Sequence, residues 1–312
     1  MKKISIVLPT YNEEDNVLPL TNTILNILNS ELSEYDYEII FSDNCSTDST
    51  RDKILSLCKT NKKIKAIFNA KNFGQFRSPI NAILNTSGDC VLIMASDFQD
   101  PPEMISQFVK EWENGNKIVI GIKTKSKENI IMRFIRTCYY KLIKSISEIE
   151  HIEHFTGFGL YDRHFIEILK SLNDPEPYLR GIVAELGYKI KQIEFTQPKR
   201  KFGISKNNFY SLYHIAMIGI TNYSKIPLRI ATICGFLLSG ISFMFGLIYF
   251  IYKLVFWNNF SVGIAPLIIG VFFIGSIQLF FIGLLGEYIL NINSYMMKRP
   301  LVIEEERINF DS

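Results

Sequence analysis

The chain has 312 residues and a formal net charge of +3: long enough for one sizeable domain plus an annexe, and too weakly basic for nucleic acid to be its main partner. Its five cysteines, Cys45, Cys58, Cys90, Cys138 and Cys234, show neither paired nor metal-type spacing. That excludes a disulfide framework and a thiolate zinc site and fits a reducing compartment. There is no repeat or low-complexity tract, and the apolar stretch Ile4–Pro9 runs into Asn12, Glu13, Glu14 and Asp15 too soon for a signal peptide.

Residues 1–125 alternate short apolar runs with helical patterns. Strands are expected at Ile4–Leu8, Tyr37–Phe41, Ile64–Phe68, Cys90–Ala95 and Lys117–Ile122. Helices are expected from after Asn12 to about Asn29, from an N-cap at Ser46 or Thr47 to about Cys58, over Gln75–Asn85 and over Pro102–Glu113. Strands separated by helices predict an α/β domain with a mostly parallel sheet. Beyond it, Ile130–Ile146 carries apolar residues on one face and Arg133, Arg136, Lys141 and Lys144 largely elsewhere, suited either to a membrane surface or to the sheet. Further strands are expected at Phe158–Tyr161 and Lys189–Phe195, and a second amphipathic helix at Phe209–Asn222.

Ile230–Tyr252 and Val262–Ile289 are almost wholly apolar, and each exceeds the roughly 20 residues that cross a bilayer as a helix. Lys199, Arg200, Lys201, Lys206, Lys225 and Arg229 precede the first span, and Lys298 and Arg299 follow the second. The positive-inside rule therefore predicts a two-helix hairpin with both ends in the cytoplasm. The expected organisation is an α/β domain over 1–208, an interface helix over 209–229, two spans within 230–291 and a cytoplasmic tail over 292–312.

The segment Cys90–Glu103 is the richest in chemistry. An apolar strand ends abruptly in Asp97, Gln99 and Asp100, and Pro101 and Pro102 lead into a helix with Glu103 in its first turn. A carboxylate at the carboxyl end of a central strand sits where open α/β sheets bind ligands. Asp97 and Gln99 are oxygen donors suited to Mg²⁺ or Mn²⁺; alternatively, these side chains only cap the following helix.

The stretches IVLPTYNEEDNV (6–17), IIFSDNCSTDST (39–50), NFGQ (72–75), SDFQDPPE (96–103), FGISKNNF (202–209), PLR (227–229), LLGEY (284–288) and KRP (298–300) follow one another in order. Together they resemble the family 2 glycosyltransferases of GT-A fold, and within them the polyprenyl-phosphate glycosyltransferases, the group of dolichol-phosphate mannose synthase and the bactoprenol glucosyltransferases. The resemblance implies a Rossmann-like domain carrying a membrane hairpin in the bacterial inner membrane. It implies inverting transfer of one sugar from a nucleotide-sugar, a UDP-hexose such as UDP-glucose, to undecaprenyl phosphate for cell-envelope glycan synthesis, with Mg²⁺ or Mn²⁺ and a homo-oligomeric assembly. Pro9, Thr10, Tyr11, Glu13, Asp43, Ser96 and Asp97 would border the nucleotide, with Asp43 reading the base. Asp97 and Gln99 would hold the metal. Arg200, Lys201, Ser205 and Lys206 would meet the acceptor phosphate, with Arg133 and Arg136 as further candidates. Two positions depart from the family pattern. Ala95 stands where the motif has its first Asp, and Gly157 replaces an Asp in a segment where His154 takes an acidic position, as base or as structural residue. A phosphate acceptor is already anionic, so it needs no strong base. Transfer to another lipid or glycan acceptor, and a non-catalytic membrane scaffold, remain alternatives.

Overall fold

The computed structural model describes residues 1–125, 152–198, 200, 217, 221, 224, 226–255, 264–297 and 299–310. The expected amphipathic helix over 130–146 with Arg133 and Arg136, the loop residues Lys201, Ser205 and Lys206, and nearly all of the expected interface helix lie outside this set.

In strand β1 (Lys3–Thr10), Ile4, Ile6 and Leu8 pack into one apolar cluster and Val7 into another, all fully buried. A strand apolar on both sides needs cover on both faces. Its sheet partners are β2 (Asp36–Asp43), β3 (Ile64–Asn69), β4 (Cys90–Ile93), β5 (Ile118–Lys125), β6 (Phe155–Asp162), β7 (Ile190–Thr196) and β8 (Glu304–Ile308). The order across the sheet is β7-β5-β6-β4-β1-β2-β3-β8. One face is covered by α1 (Glu14–Ser30), α2 (Thr50–Thr60) and α4 (Met104–Glu113) through Leu20, Ile24, Ile54 and Phe108. The other face carries α3 (Gly74–Leu84), α5 (Arg163–Leu172) and α6 (Leu179–Glu185) through Ile80, Ile83, Phe165 and Ile182.

The sheet is more mixed than the sequence pattern predicts. β1–β2, β1–β4, β2–β3 and β5–β7 pair in parallel, whereas β4–β6, β5–β6 and β3–β8 are antiparallel. Helix α2 begins at Thr50 behind an N-cap at Ser49, not at Ser46 or Thr47. The Ser46 hydroxyl instead donates to Asp43, and the Thr47 N–H donates to Asn12 Oδ1 at 2.7 Å. β4 stops at Ile93, and α4 starts at Met104, where the Met104 and Ile105 N–H groups reach back to the carbonyls of Pro101 and Pro102.

Away from the carboxyl ends of the strands, Glu38 lies 1% exposed. It accepts from Ser5 Oγ at 2.6 Å and the Ser87 N–H at 2.6 Å, with Lys65 Nζ at 2.8 Å and Lys3 Nζ at 3.3 Å. A buried charge is tolerated only when paired and hydrogen-bonded in this way.

Two long apolar helices follow, α7 (Ile226–Val255, 30 residues) and α8 (Ile264–Met296, 33 residues). They touch each other. At 1.5 Å per residue they run about 45 and 50 Å. Phe236, Phe245, Leu279 and Phe280 are 69–77% exposed, an apolar surface suited to lipid rather than water. Among the described residues, Phe273–Met296 is the stretch long and apolar enough to cross a membrane by length and composition. Within the expected tail, α8 continues through Met296, and β8 joins the sheet edge against β3.

Candidate active site

Strand β1 has β2 on one side and β4 on the other, so the chain reverses its direction of travel across the sheet there. Crevices at such switch points, beyond the carboxyl ends of the strands, are the usual ligand sites of open α/β sheets. A cleft of about 700 Å³ opens at this place, within the range of small-molecule sites.

Its floor is stitched from loop ends. The Ser96 hydroxyl donates to the Pro9 carbonyl at 2.8 Å, and the Thr10 and Ser96 hydroxyls lie 3.1 Å apart. Asn12, at φ 52°, donates its N–H to Ser46 Oγ at 2.8 Å, tying the β1 loop to the β2 loop. Asn44 donates to Asn72 Oδ1 at 2.8 Å and accepts the Phe73 N–H at 2.9 Å. This holds the turn into α3, where Gly74 at φ 86° supplies a conformation that side chains disfavour.

Asp97 is 8% exposed and lines the cleft with Gln99. Its Oδ1 accepts the Gln99 N–H at 3.0 Å, while Oδ2 lies 3.3 Å from Arg200 Nε. Between the two, Phe98 sits at φ 61°, a strained conformation for a bulky residue of the kind that functional loops hold. Arg200 also bonds the Glu13 carboxylate. Asp100 accepts the Ala95 N–H at 2.8 Å. Burial pushes its carboxyl up to about 7, the Asp97 charge adds to this, and the Ala95 N–H and Lys123 oppose it. Ala95 thus supplies no second carboxylate beside Asp97, and the nearby Asp100 carboxyl is raised by its burial.

The structure thus gathers Pro9, Thr10, Tyr11, Glu13, Ser96, Asp97, Gln99 and Arg200 around one cleft. Asp43 lies beneath it, 2% exposed, its carboxylate engaged by the Ser46 N–H and hydroxyl and raised in pKa by burial; its neighbour Asn44 lines the cleft instead. His154, expected as a possible base, does not line it. It is exposed on a turn at φ 60° just before β6, and Thr156 and Gly157 contribute from that strand in its place. Sequence reasoning missed Asn44, Arg77, Glu176 and Arg180, all of which line the cleft. Only Asn44, at a strand end beside Asp43, carried a positional signal.

Among the described residues no group of three His, Cys, Asp or Glu side chains is arranged to hold a metal. One carboxylate and one amide oxygen still suit Mg²⁺ or Mn²⁺, which takes one or two carboxylates and fills its shell with phosphate and water.

Residues 5–169 match the family described as Glycosyl transferase family 2. The chain belongs to this family. The SfII prophage-derived bactoprenol glucosyl transferase of Shigella flexneri is 32% identical over 96% of this chain and 97% of its own length. The bactoprenol glucosyl transferase of Shigella phage SfV is 32% identical over 98% and 99%, and the Escherichia coli K12 prophage bactoprenol glucosyl transferase homolog is 30% identical over 96% and 98%. Among solved structures, glucosyl-3-phosphoglycerate synthase of Mycobacterium tuberculosis, crystallised with Mn²⁺, uridine diphosphate and phosphoglyceric acid, superposes with a TM-score of 0.49 at 17% identity, covering 70% of this chain and 76% of that one. The protein is a family 2 glycosyltransferase.

Proposed function

We propose that this glycosyltransferase moves one sugar from a nucleotide donor, UDP-glucose or another UDP-hexose, to polyprenyl phosphate at the cytoplasmic face of a bacterial inner membrane. The observation that carries this reading is the similarity to bactoprenol glucosyl transferases over nearly the whole chain, apolar helices included. Pro9, Thr10, Tyr11, Glu13 and Ser96 border the nucleotide. Asp43 reads the base after its Ser46 contact opens. Asp97 and Gln99 hold Mg²⁺ or Mn²⁺, which when bound neutralises charge on the departing diphosphate. Arg200 leaves Glu13 and Asp97 to clamp the acceptor phosphate, the task to which a planar guanidinium is suited; Lys201, Ser205, Lys206, Arg133 and Arg136 support it. An acceptor oxygen attacks the anomeric carbon opposite the leaving group, the bond to the diphosphate breaks with its electron pair, and the configuration inverts. No base is needed, because the acceptor oxygen carries no proton at neutral pH.

Both apolar helices span the membrane as a hairpin, with the catalytic domain and both termini in the cytoplasm. The antiparallel β3–β8 pairing supports this, since the chain returns to its own sheet after α8. The deciding experiment incubates purified protein with undecaprenyl phosphate, Mg²⁺ or Mn²⁺ and a panel of nucleotide sugars, followed by mass spectrometry of the lipid. A hexosyl-phosphoryl polyprenol is expected. If every donor leaves the lipid unchanged, the acceptor assignment is lost.

A further inference from the structure

Among the described residues, the cationic side chains lining the cleft are Arg77, Arg180 and Arg200. Two of them are neutralised: Arg77 pairs with Glu176, and Arg200 with Glu13 and Asp97. Arg180 has no carboxylate at ion-pair distance among the described residues; its guanidinium rests over the Tyr178 ring, 5.3 Å from the centroid. Tyr178 is 7% exposed and is met edge-on by Phe76 of α3, at 5.5 Å and 87°. The cation therefore rests on a fixed aromatic support at the cleft wall, an arrangement that lowers the cost of ordering it around an anion.

The position of this wall bears on which anion it would meet. Arg180 lies in the first turn of α6, after the segment Asn173–Tyr178. The Tyr295 phenol, near the carboxyl end of α8, hydrogen-bonds the Asp174 carboxylate. Asp174, two residues before the cleft-lining pair Glu176 and Pro177, thus lies against the end of the apolar helix. On the acceptor class assigned above, a phosphate carried on a lipid would approach the cleft from the side of that helix.

We propose that Arg180 binds the phosphate of the lipid acceptor, as a second guanidinium at the membrane-facing wall. This inference rests on the acceptor class assigned above, but its test does not depend on turnover. Calorimetry with farnesyl phosphate as probe, farnesol as the uncharged control and UDP as the second ligand separates the sources of phosphate. Arg180→Ala should weaken farnesyl phosphate binding by at least about tenfold, the scale of a lost charge-assisted hydrogen bond, and leave UDP affinity within about twofold, as for an independent site. Arg180→Lys should recover part of the loss, because an ammonium keeps the charge but not the fork. Thermal melts check folding; should Arg180→Ala fail to fold, Arg180→Lys carries the comparison, with a smaller loss confined to farnesyl phosphate. Equal farnesyl phosphate affinity in wild type and variant overturns the proposal. So does a loss that falls on UDP, which reassigns Arg180 to the donor diphosphate, and so does wild-type binding of farnesol as tight as that of its phosphate. Glycosylation of undecaprenyl phosphate by wild type, measured alongside, reports separately on the function.

Discussion

Asp97 is the carboxylate on which the site turns. Ala95 supplies no carboxylate and burial raises the Asp100 carboxyl to about 7, so on the proposed reading Asp97 is the carboxylate that holds the cation. Asp97→Asn should lower turnover by at least about a hundredfold, the scale for losing a principal electrostatic stabiliser, as measured by initial rates at saturating donor; near-wild-type rates would remove Asp97 from the metal site. Arg200 competes for the same carboxylate through its 3.3 Å contact. Arg200→Ala should therefore bind Mn²⁺ more tightly in the absence of nucleotide, by roughly 1 kcal/mol, the upper range for a partly exposed pair, read by electron paramagnetic resonance titration. Glu38 contributes to the acid dependence of stability. Its burial raises the carboxyl, but hydrogen bonds from Lys65, Ser5 and Ser87 and the Lys65 charge outweigh this and hold it at about 2, against an ordinary value of 4.5. A depressed acid stabilises the fold above its unfolded value and loses that contribution as pH falls through its folded value. The loss, ~3 kcal/mol, should fall between about pH 4.5 and 2 and be absent from the pH profile of Glu38→Gln in urea melts. Asp97, Gln99 and the Pro9–Glu13 loop were legible in the sequence because an apolar strand that breaks into polar oxygens marks a sheet end. Arg77 and Arg180 were not, because an arginine on a helix gives no local sign of which way it faces, and only tertiary packing places it.

Element by element, the strands of the first 125 residues were legible because parallel sheets bury both faces and leave continuous apolar runs. Helix α2 was shifted because Ser46 and Thr47, good caps in isolation, are committed to Asp43 and Asn12. β8 was invisible. Glu304-Glu305-Glu306-Arg307 reads as a solvated charge run, and it becomes a strand only through β3 and through Arg51, which reaches Glu305 at 3.1 Å and Glu306 at 2.8 Å. Truncation after Pro300 should leave β3 as an unpaired edge. Amide exchange should rise across Ile64–Asn69 with little change in β1, and the shortened protein should aggregate more readily. Unaltered exchange in β3 would mean that β8 adds nothing to the sheet.

For the whole molecule, the apolar helices are bracketed by the catalytic fold rather than appended to it. A cysteine at Asn258, between the helices, should react with a membrane-impermeant thiol reagent in intact cells, and one at Glu305 in β8 should react only after permeabilisation; the reverse pattern would overturn the orientation. The bracketing also dictates an order of birth. During synthesis β1 to β7 emerge before α7 and α8, and β8 emerges last. The edge of β3 must wait, unpaired, until both apolar helices have left the ribosome, and it is closed only when residues 304–308 arrive from the far side of them. The sheet therefore cannot be completed on a nascent chain whose helices have been held back or sent the wrong way. A strand of five residues, Glu304–Ile308, makes completion of the sheet conditional on release of the two apolar helices that precede it.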